Sequence, residues 1–269
     1  MSQQSELTIT YIGGPTALIE FGGLRFLTDP TLDPAGTEYP TAVYTLKKTI
    51  DPAVTEDVLA SEDADTPVAI DAVLLSHDHH FDNLDNAGRD FLAKAARVLT
   101  TADGAGRLGG DPVGLAHWET FDIEAPHGRT LRVTATPARH GPEGGDRGPV
   151  IGFVLAYADR PNDAIYISGD TVWYEGVEEV AKRFDVAVAV LFMGAAKVAV
   201  AGPHALTMTA EDGVNAARSF KRAAIIPLHF EGWEHFTESR AEIEPVFAEA
   251  GVGDRLIWLE PGAPTAFSL

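Results

Sequence analysis

Four short apolar runs set the terms on which this chain folds, because each breaks off at a residue able to bind a metal. VLLS runs into His77, VTATPAR into His140, IYISG into Asp170 and AIIPL into His229. Aliphatic and β-branched runs of this length read as buried strands. Loops beyond strand ends are where side chains from distant segments converge. A fold that satisfies all four runs must bring four strand ends to one place. The densest stretch is LLSHDHHFDNLD, which sets His77, His79 and His80 beside Asp78, Asp82 and Asp85. A lone histidine is more often packed or solvated than a ligand, but four ligand types at four strand ends argue for a metal site.

Composition narrows the chemistry of that site. With no Cys in the chain, disulfides and thiolate ligands are excluded, and a transition metal must be held by imidazole and carboxylate. Such donors suit zinc, manganese or iron without choosing among them. The 269 residues, 45% hydrophobic and 22% charged, read as one folded domain spanning 1–269. A formal charge of −20, with no basic cluster to interrupt it, opposes a nucleic-acid partner. No apolar run approaches the ~18–20 residues of a membrane helix, and MSQQSELTIT lacks the regions of a secretion signal. A cytoplasmic protein with a small-molecule substrate and no membrane partner is expected; the pattern does not speak to oligomeric state.

The residues around the four runs fill in a coarse map. LTITYIGGPTALIEFGGLRFLTDP alternates in the manner of two or three antiparallel strands, with Gly pairs at the turns. Residues 30–67 read as an irregular excursion over a cleft. VAIDAVLLS (68–76) is predicted as a buried strand, and LDNAGRDFLAKAARV, apolar at 84, 87, 91, 92, 95 and 96, as a helix. RVLTT (97–101) is a short strand, and 103–128 are Gly-rich and irregular. TLRVTATPARH (130–140), VIGFVLAY (150–157) and DAIYISGD (163–170) follow as strands, then EEVAKRF as a helix and DVAVAVLFMG (185–194) as a buried strand. MTAEDGVNAARSFK predicts a helix with Thr209 as N-cap and Asp212 three residues on. AAIIPLH (223–229) is a strand, TESRAEIEPVFAEAG a helix capped near Thr237 or Ser239, and RLIWLEPG a closing strand.

The order LTDP, SHDHHFDNLD, ATPARHG, ISGDT, PLHFEGW resembles the metallo-β-lactamase superfamily, within it the lactonase-like hydrolases, from about residue 8 onward. The resemblance implies an α/β fold, an αβ/βα four-layer sandwich with two metals at one edge. The family signature is H-x-H-x-D-H, and this chain departs from it. Read from His77, the pattern gives His79 and then Phe81 and Asp82 where Asp and His belong. Read from the acid, it gives His80-Phe81-Asp82-Asn83, which matches except for the final Asn and needs a one-residue bulge to recover His77. The second register is preferred because it keeps the acid with a histidine two residues before it, leaving His79 as a spare or outer residue. The resemblance then implies His77, His80 and His140 on a first metal, Asp170 bridging, and Asp82 with His229 on a second. Asn83 stands where the family has a histidine; an amide oxygen is a weaker zinc ligand than imidazole, so the second site is expected to bind less tightly. Asp78 and Asp85 read as solvated or as carboxylates orienting imidazoles.

An ion with an open position acidifies bound water and polarises an electrophile, which makes metal-assisted hydrolysis the expected reaction, with Asp82 moving a proton. One or two divalent ions are expected, zinc first, with manganese or iron as alternatives. GPHALTMTAEDGV and HFEGWEHF also resemble the lactonase-like group, and would set His204 and His235 beside the metals, touching substrate or leaving group. Trp173, Tyr174 and Trp233 would form an apolar wall. No G-x-S-x-G element or phosphate-binding loop is present. The substrate classes in order are lactone or cyclic ester, then amide or phosphodiester. The competing readings are an iron-binding redox or oxygen-handling module and a non-catalytic, metal-stabilised protein.

Overall fold

The structure is a computed structural model that describes residues 7–60 and 70–269, except for the side chain of His127. The first three strands, β1 (Leu7–Gly13), β2 (Thr16–Phe21) and β3 (Leu24–Thr28), form the antiparallel meander expected of their alternation. A two-stranded strap of β4 (Glu38–Pro40) and β5 (Thr45–Lys47) follows, then α1 (Glu56–Leu59), β6 (Ala72–Leu74), α2 (Asn86–Phe91) and β7 (Val98–Thr101). Next come α3 (Ala102–Leu108), β8 (Val113–Leu115), β9 (Thr120–Ala125), β10 (Arg129–Pro137), β11 (Ile151–Tyr157) and β12 (Arg160–Ile167). The chain ends with α4 (Glu175–Arg183), β13 (Val186–Phe192), α5 (Ala210–Ser219), β14 (Ala224–Leu228), α6 (Arg240–Glu249) and β15 (Pro264–Phe267).

These strands make a seven-stranded sheet, β15-β1-β2-β3-β6-β7-β8, and a six-stranded sheet, β14-β13-β12-β11-β10-β9. The sheets bury one apolar layer between them, in which Ile9, Phe26 and Leu74 of one meet Val133, Phe153 and Val190 of the other. A second layer, with Val177 of α4, Val214 of α5 and Phe247 of α6, covers the outer face of the six-stranded sheet. Leu59 of α1 and Phe91 of α2 cover the outer face of the seven-stranded sheet. The result is the αβ/βα four-layer sandwich. Each fully buried aliphatic or Phe side chain contributes about 1.5–3 kcal/mol, which is why both faces of β11 and β13 are apolar along their whole length. Among the described residues no helix is long and apolar enough to cross a membrane.

Several elements differ from the sequence reading. The excursion after residue 30 contains the strap and α1; residues 61–69, including the start of the predicted 68–76 strand, lie outside the described residues. The helix predicted from residue 84 begins only after Asp85, whose carboxylate caps Gly88 N at 2.8 Å, and it tightens to a 3-10 turn from Leu92 to Lys94. Residues 103–128 are not irregular: they hold α3, β8 and β9. Packing accounts for one of the two glycines of α3: a Cβ on Gly104 would lie about 3 Å from the Thr101, Asp78 and Thr100 oxygens. RLIWLEPG does not form the closing strand. Only Leu256 bridges to Ile225, Trp258 packs edge-on against Phe230, and the closing strand, added to β1 at the sheet edge, is β15. Thr209 with Asp212, and Ser239 with Glu242, form complete capping boxes on α5 and α6.

Candidate metal centre

The four strand ends do meet. β6, β10, β12 and β14 stop at Leu74, Pro137, Ile167 and Leu228, and the loops that follow carry His77, His140, Asp170 and His229 into one buried cluster. Local hydrogen bonds aim each side chain. Asp29 accepts from Ser76 N at 2.7 Å, pinning the loop that presents His77. The Ser76 hydroxyl sits 2.9 Å from His77 Nδ1, which leaves Nε2 facing inward. His140 Nδ1 donates to the Leu206 carbonyl at 2.8 Å; a carbonyl only accepts, so the inward Nε2 keeps its lone pair. His229 adopts a left-handed φ of 56°, with its amide donating to Gly14 O at 2.8 Å. Strain of that kind in a non-glycine residue is held where the surroundings over-determine it. Gly169, before Asp170, has no room for a side chain: a Cβ would lie 2.6 Å from Ile151 O.

Two groups of donors result. In the first, His80 Nδ1 lies 2.9 Å from His77 Nε2 and 3.2 Å from His140 Nε2, and His140 Nε2 lies 3.5 Å from Asp170 Oδ2. In the second, His229 Nε2 is 3.4 Å from Asp170 Oδ1 and 3.6 Å from Asp82 Oδ2. Asp170 thus turns one oxygen to each group. Tetrahedral zinc with bonds of 2.0–2.2 Å sets its donors roughly 3.3–3.6 Å apart, and most of these separations fall there or close by. Asp170 Oδ2, both ring nitrogens of His229 and Asn83 Oδ1 are buried with no hydrogen-bond partner among the described residues. Buried polar atoms rarely stay unpaired. A donor set of imidazoles and carboxylates, aimed inward and unsatisfied, fits one or two divalent ions.

The electrostatics have the same character. Burial, followed by the charge of neighbouring imidazoles, pushes His77 well below the usual histidine range and His80 down to about 3, so both present neutral rings. Burial would also depress His229, but the carboxylates of Asp170 and Asp82 outweigh it and lift that ring to about 10. Burial would raise Asp82 and Asp170; their histidine neighbours instead hold both well below the ordinary carboxylate range. The second group is therefore two ionised carboxylates around a protonated imidazole, a pocket in which a divalent ion could take the place of the proton.

The other sequence candidates take varied places. His79 turns Nε2 to the Arg147 carbonyl at 2.9 Å, although His77, His79 and His80 also bring one ring nitrogen each within 4.8 Å of one another. Asn83 is fully buried and donates from Nδ2 to Asp170 Oδ1 at 3.2 Å. His235 reaches Asp82 Oδ2 at 2.9 Å and lines the cavity above the cluster. His204 is exposed and is not on that lining. Trp173 and Tyr174 pack against the α4–α6 layer, whereas Trp233 is buried under the strap with Tyr39 and Leu46. Asp78 pairs with Arg107 at 2.9 Å, and Asp85 with Lys48 at 3.1 Å. Sequence reasoning missed Asp29, whose only signal was its place in LTDP, and Arg147, which lines the cavity from a loop without pattern. That cavity holds about 20 Å³, room for about one water. Its outer wall is apolar: Tyr44 and Leu46 from the strap, Ala196, Val198 and Leu206 from the loop after β13.

Comparison with known proteins extends these observations. The chain is 25% identical over 268 residues to the UPF0173 protein YddR of Bacillus subtilis, covering 97% of this chain and all of that one. It is 29% identical over 226 residues to a UPF0173 metal-dependent hydrolase of Pelotomaculum thermopropionicum, covering 80% of this chain and 90% of the relative. Among solved structures, the isothiocyanate hydrolase from Delia radicum gut bacteria superposes with a TM-score of 0.78 at 25% identity, over 97% of this chain and 99% of that one. The profile of the beta-lactamase superfamily domain matches residues 25–230. A match across most of the sandwich, including all four strand ends, shows that this protein belongs to the beta-lactamase superfamily.

Proposed function

We propose that the protein is a metal-dependent hydrolase that adds water to a small, uncharged electrophile bearing an apolar substituent. The observation that carries this reading is the convergence of His77 Nε2, His80 Nδ1 and His140 Nε2 beneath a small cavity with an apolar outer wall. The similarity to metal-dependent hydrolases and to an isothiocyanate hydrolase supports it. In this reading His77, His80 and His140 hold one ion, Asp82 and His229 a second, and Asp170 lies between them. His80 rather than His79 is taken as the ligand, because His80 Nδ1 lies 2.9 Å from His77 Nε2 and 3.2 Å from His140 Nε2, while His79 turns Nε2 away to the Arg147 carbonyl. When bound, a divalent ion there supplies an acidified water and a Lewis acid.

The chain's own residues do the rest. Tyr44, Leu46 and Val198 exclude bulk water and pack the substituent, which strengthens every charge interaction inside. Arg147 is the cation among the residues that line the cavity. It is placed to receive the negative charge that develops on the electrophile's heteroatom. Isothiocyanates come first among the substrates, followed by lactones and small esters. The test is a panel of these compounds on protein loaded with zinc, manganese or iron, alongside metal analysis and visible absorption. Turnover that a chelator abolishes is the expected result. A coloured iron protein active only with an oxidant would move the assignment to redox chemistry, and metal-loaded protein inert on the whole panel would leave a structural metal.

A further inference from the structure

The second donor group is short of imidazole. His229 is its only ring nitrogen, beside two carboxylates, and the chain position from which a second ring would come is Asn83, whose amide already donates to Asp170. Around the group, one more imidazole points at the same oxygen. His235 Nε2 is 2.9 Å from Asp82 Oδ2, the atom that faces His229 Nε2 at 3.6 Å. We infer that His235 is a ligand of the second metal, supplying from the loop after β14 the imidazole that Asn83 does not. This rests on the metal-centre reading above and names one further donor within it.

The backbone supports that role before any ion arrives. Glu234 N donates to Lys47 O at 3.1 Å, and Lys197 N donates to His235 O at 3.0 Å, so the strap and the loop after β13 both clamp the segment. The side chain is only 11% exposed, so the ring is held against the cluster instead of in solvent. With His235 the second group comes to two nitrogens and two oxygens, a donor set suited to zinc, iron or manganese. It also explains how the site tolerates Asn83.

The discriminating variant is His235→Gln, whose amide still donates to Asp82 but offers no imidazole lone pair. Zn²⁺ titration of metal-free protein by calorimetry, with circular dichroism to check folding, should give two equivalents for the wild type. His235→Gln should keep the tight equivalent and lose at least about 100-fold in affinity for the other, more than the 10–100-fold typical of an outer partner. Nitrogen-15 NMR of the wild type provides a readout that does not depend on the variant folding: the His235 Nε2 resonance should move with the second equivalent and not the first. Two equivalents of unchanged affinity in His235→Gln, or a His235 resonance indifferent to the second ion, would overturn the assignment while leaving the metal centre intact. A wild type that binds no metal would overturn the metal centre itself.

Discussion

His79 and His80 are neighbours in sequence with opposite surroundings. His80 Nδ1 faces two inward imidazoles, whereas His79 Nε2 is committed to the Arg147 carbonyl. Removing a ligand leaves the ion with too few donors; removing an outer partner typically costs 10–100-fold. His80→Ala should therefore retain little metal and be nearly inactive, while His79→Gln keeps its metal and a measurable rate, as read by metal analysis and turnover on folded protein. The reverse ranking would restore the unbulged register. Arg147 belongs to the same scale. If it receives developing charge, Arg147→Gln should lower kcat/KM on the order of 100-fold with metal content unchanged; an unchanged rate would remove it from the mechanism.

The strap is the element that closes the site, and its anchor is an ion pair inside the protein. Lys48 Nζ donates to Thr31 O at 2.7 Å and to Asp85 Oδ2 at 3.1 Å, and Asp85 also accepts from Leu32 N, Asp33 N and Gly88 N. One carboxylate thus ties the strap, the LTDP loop and the start of α2 together. Burial lowers Lys48 and raises Asp85, so the desolvation cost exceeds what their pairing returns. Lys48→Met should cost about 3–5 kcal/mol by leaving Asp85 charged, buried and unpaired. The raised pKa of Asp85 fixes the sign of the pH effect. Between the ordinary 3.8 and its folded value the native state binds more protons than the unfolded one. The deficit of Lys48→Met should then be greatest at neutral pH and shrink as pH falls through the folded value. Denaturant melts at several pH values measure this, and a deficit that grew in acid would contradict it.

At the scale of the molecule, the edge where the two sheets present His77, His140 and His229 also concentrates buried carboxylates. Asp29, Asp82 and Asp170 are all buried within it. An ion at 1,000 times its dissociation constant adds about 4 kcal/mol to stability, and for a chain of this size each kcal/mol is worth roughly 2–4 °C. Chelation should lower Tm by about 8–16 °C and abolish turnover together, with Zn²⁺ or Mn²⁺ restoring both. Full turnover in metal-free protein would refute the proposed function.

The line between sequence and tertiary structure runs through particular residues. Strands β10 to β14 and the caps at Thr209 and Ser239 were legible because their signals are local: aliphatic runs between breakers, and hydroxyls three residues before an acid. The placement of His77, His140, Asp170 and His229 beyond strand ends was legible for the same reason, since strand direction alone decides at which end a following residue lies. Elements whose stability comes from distant contacts were not legible. In α3, Thr100, Thr101 and Asp78 leave no room for a side chain at Gly104, and RLIWLEPG spends its apolar residues largely on packing. The sequence by itself determined which residue types could hold a metal and the sheets that carry them. Only the tertiary structure decided that His80 turns inward while His79 turns to Arg147, that His204 stays in solvent, and that His235 meets Asp82 across 153 residues. Side-chain direction in a bulged loop depends on what packs over it, and no local pattern records that.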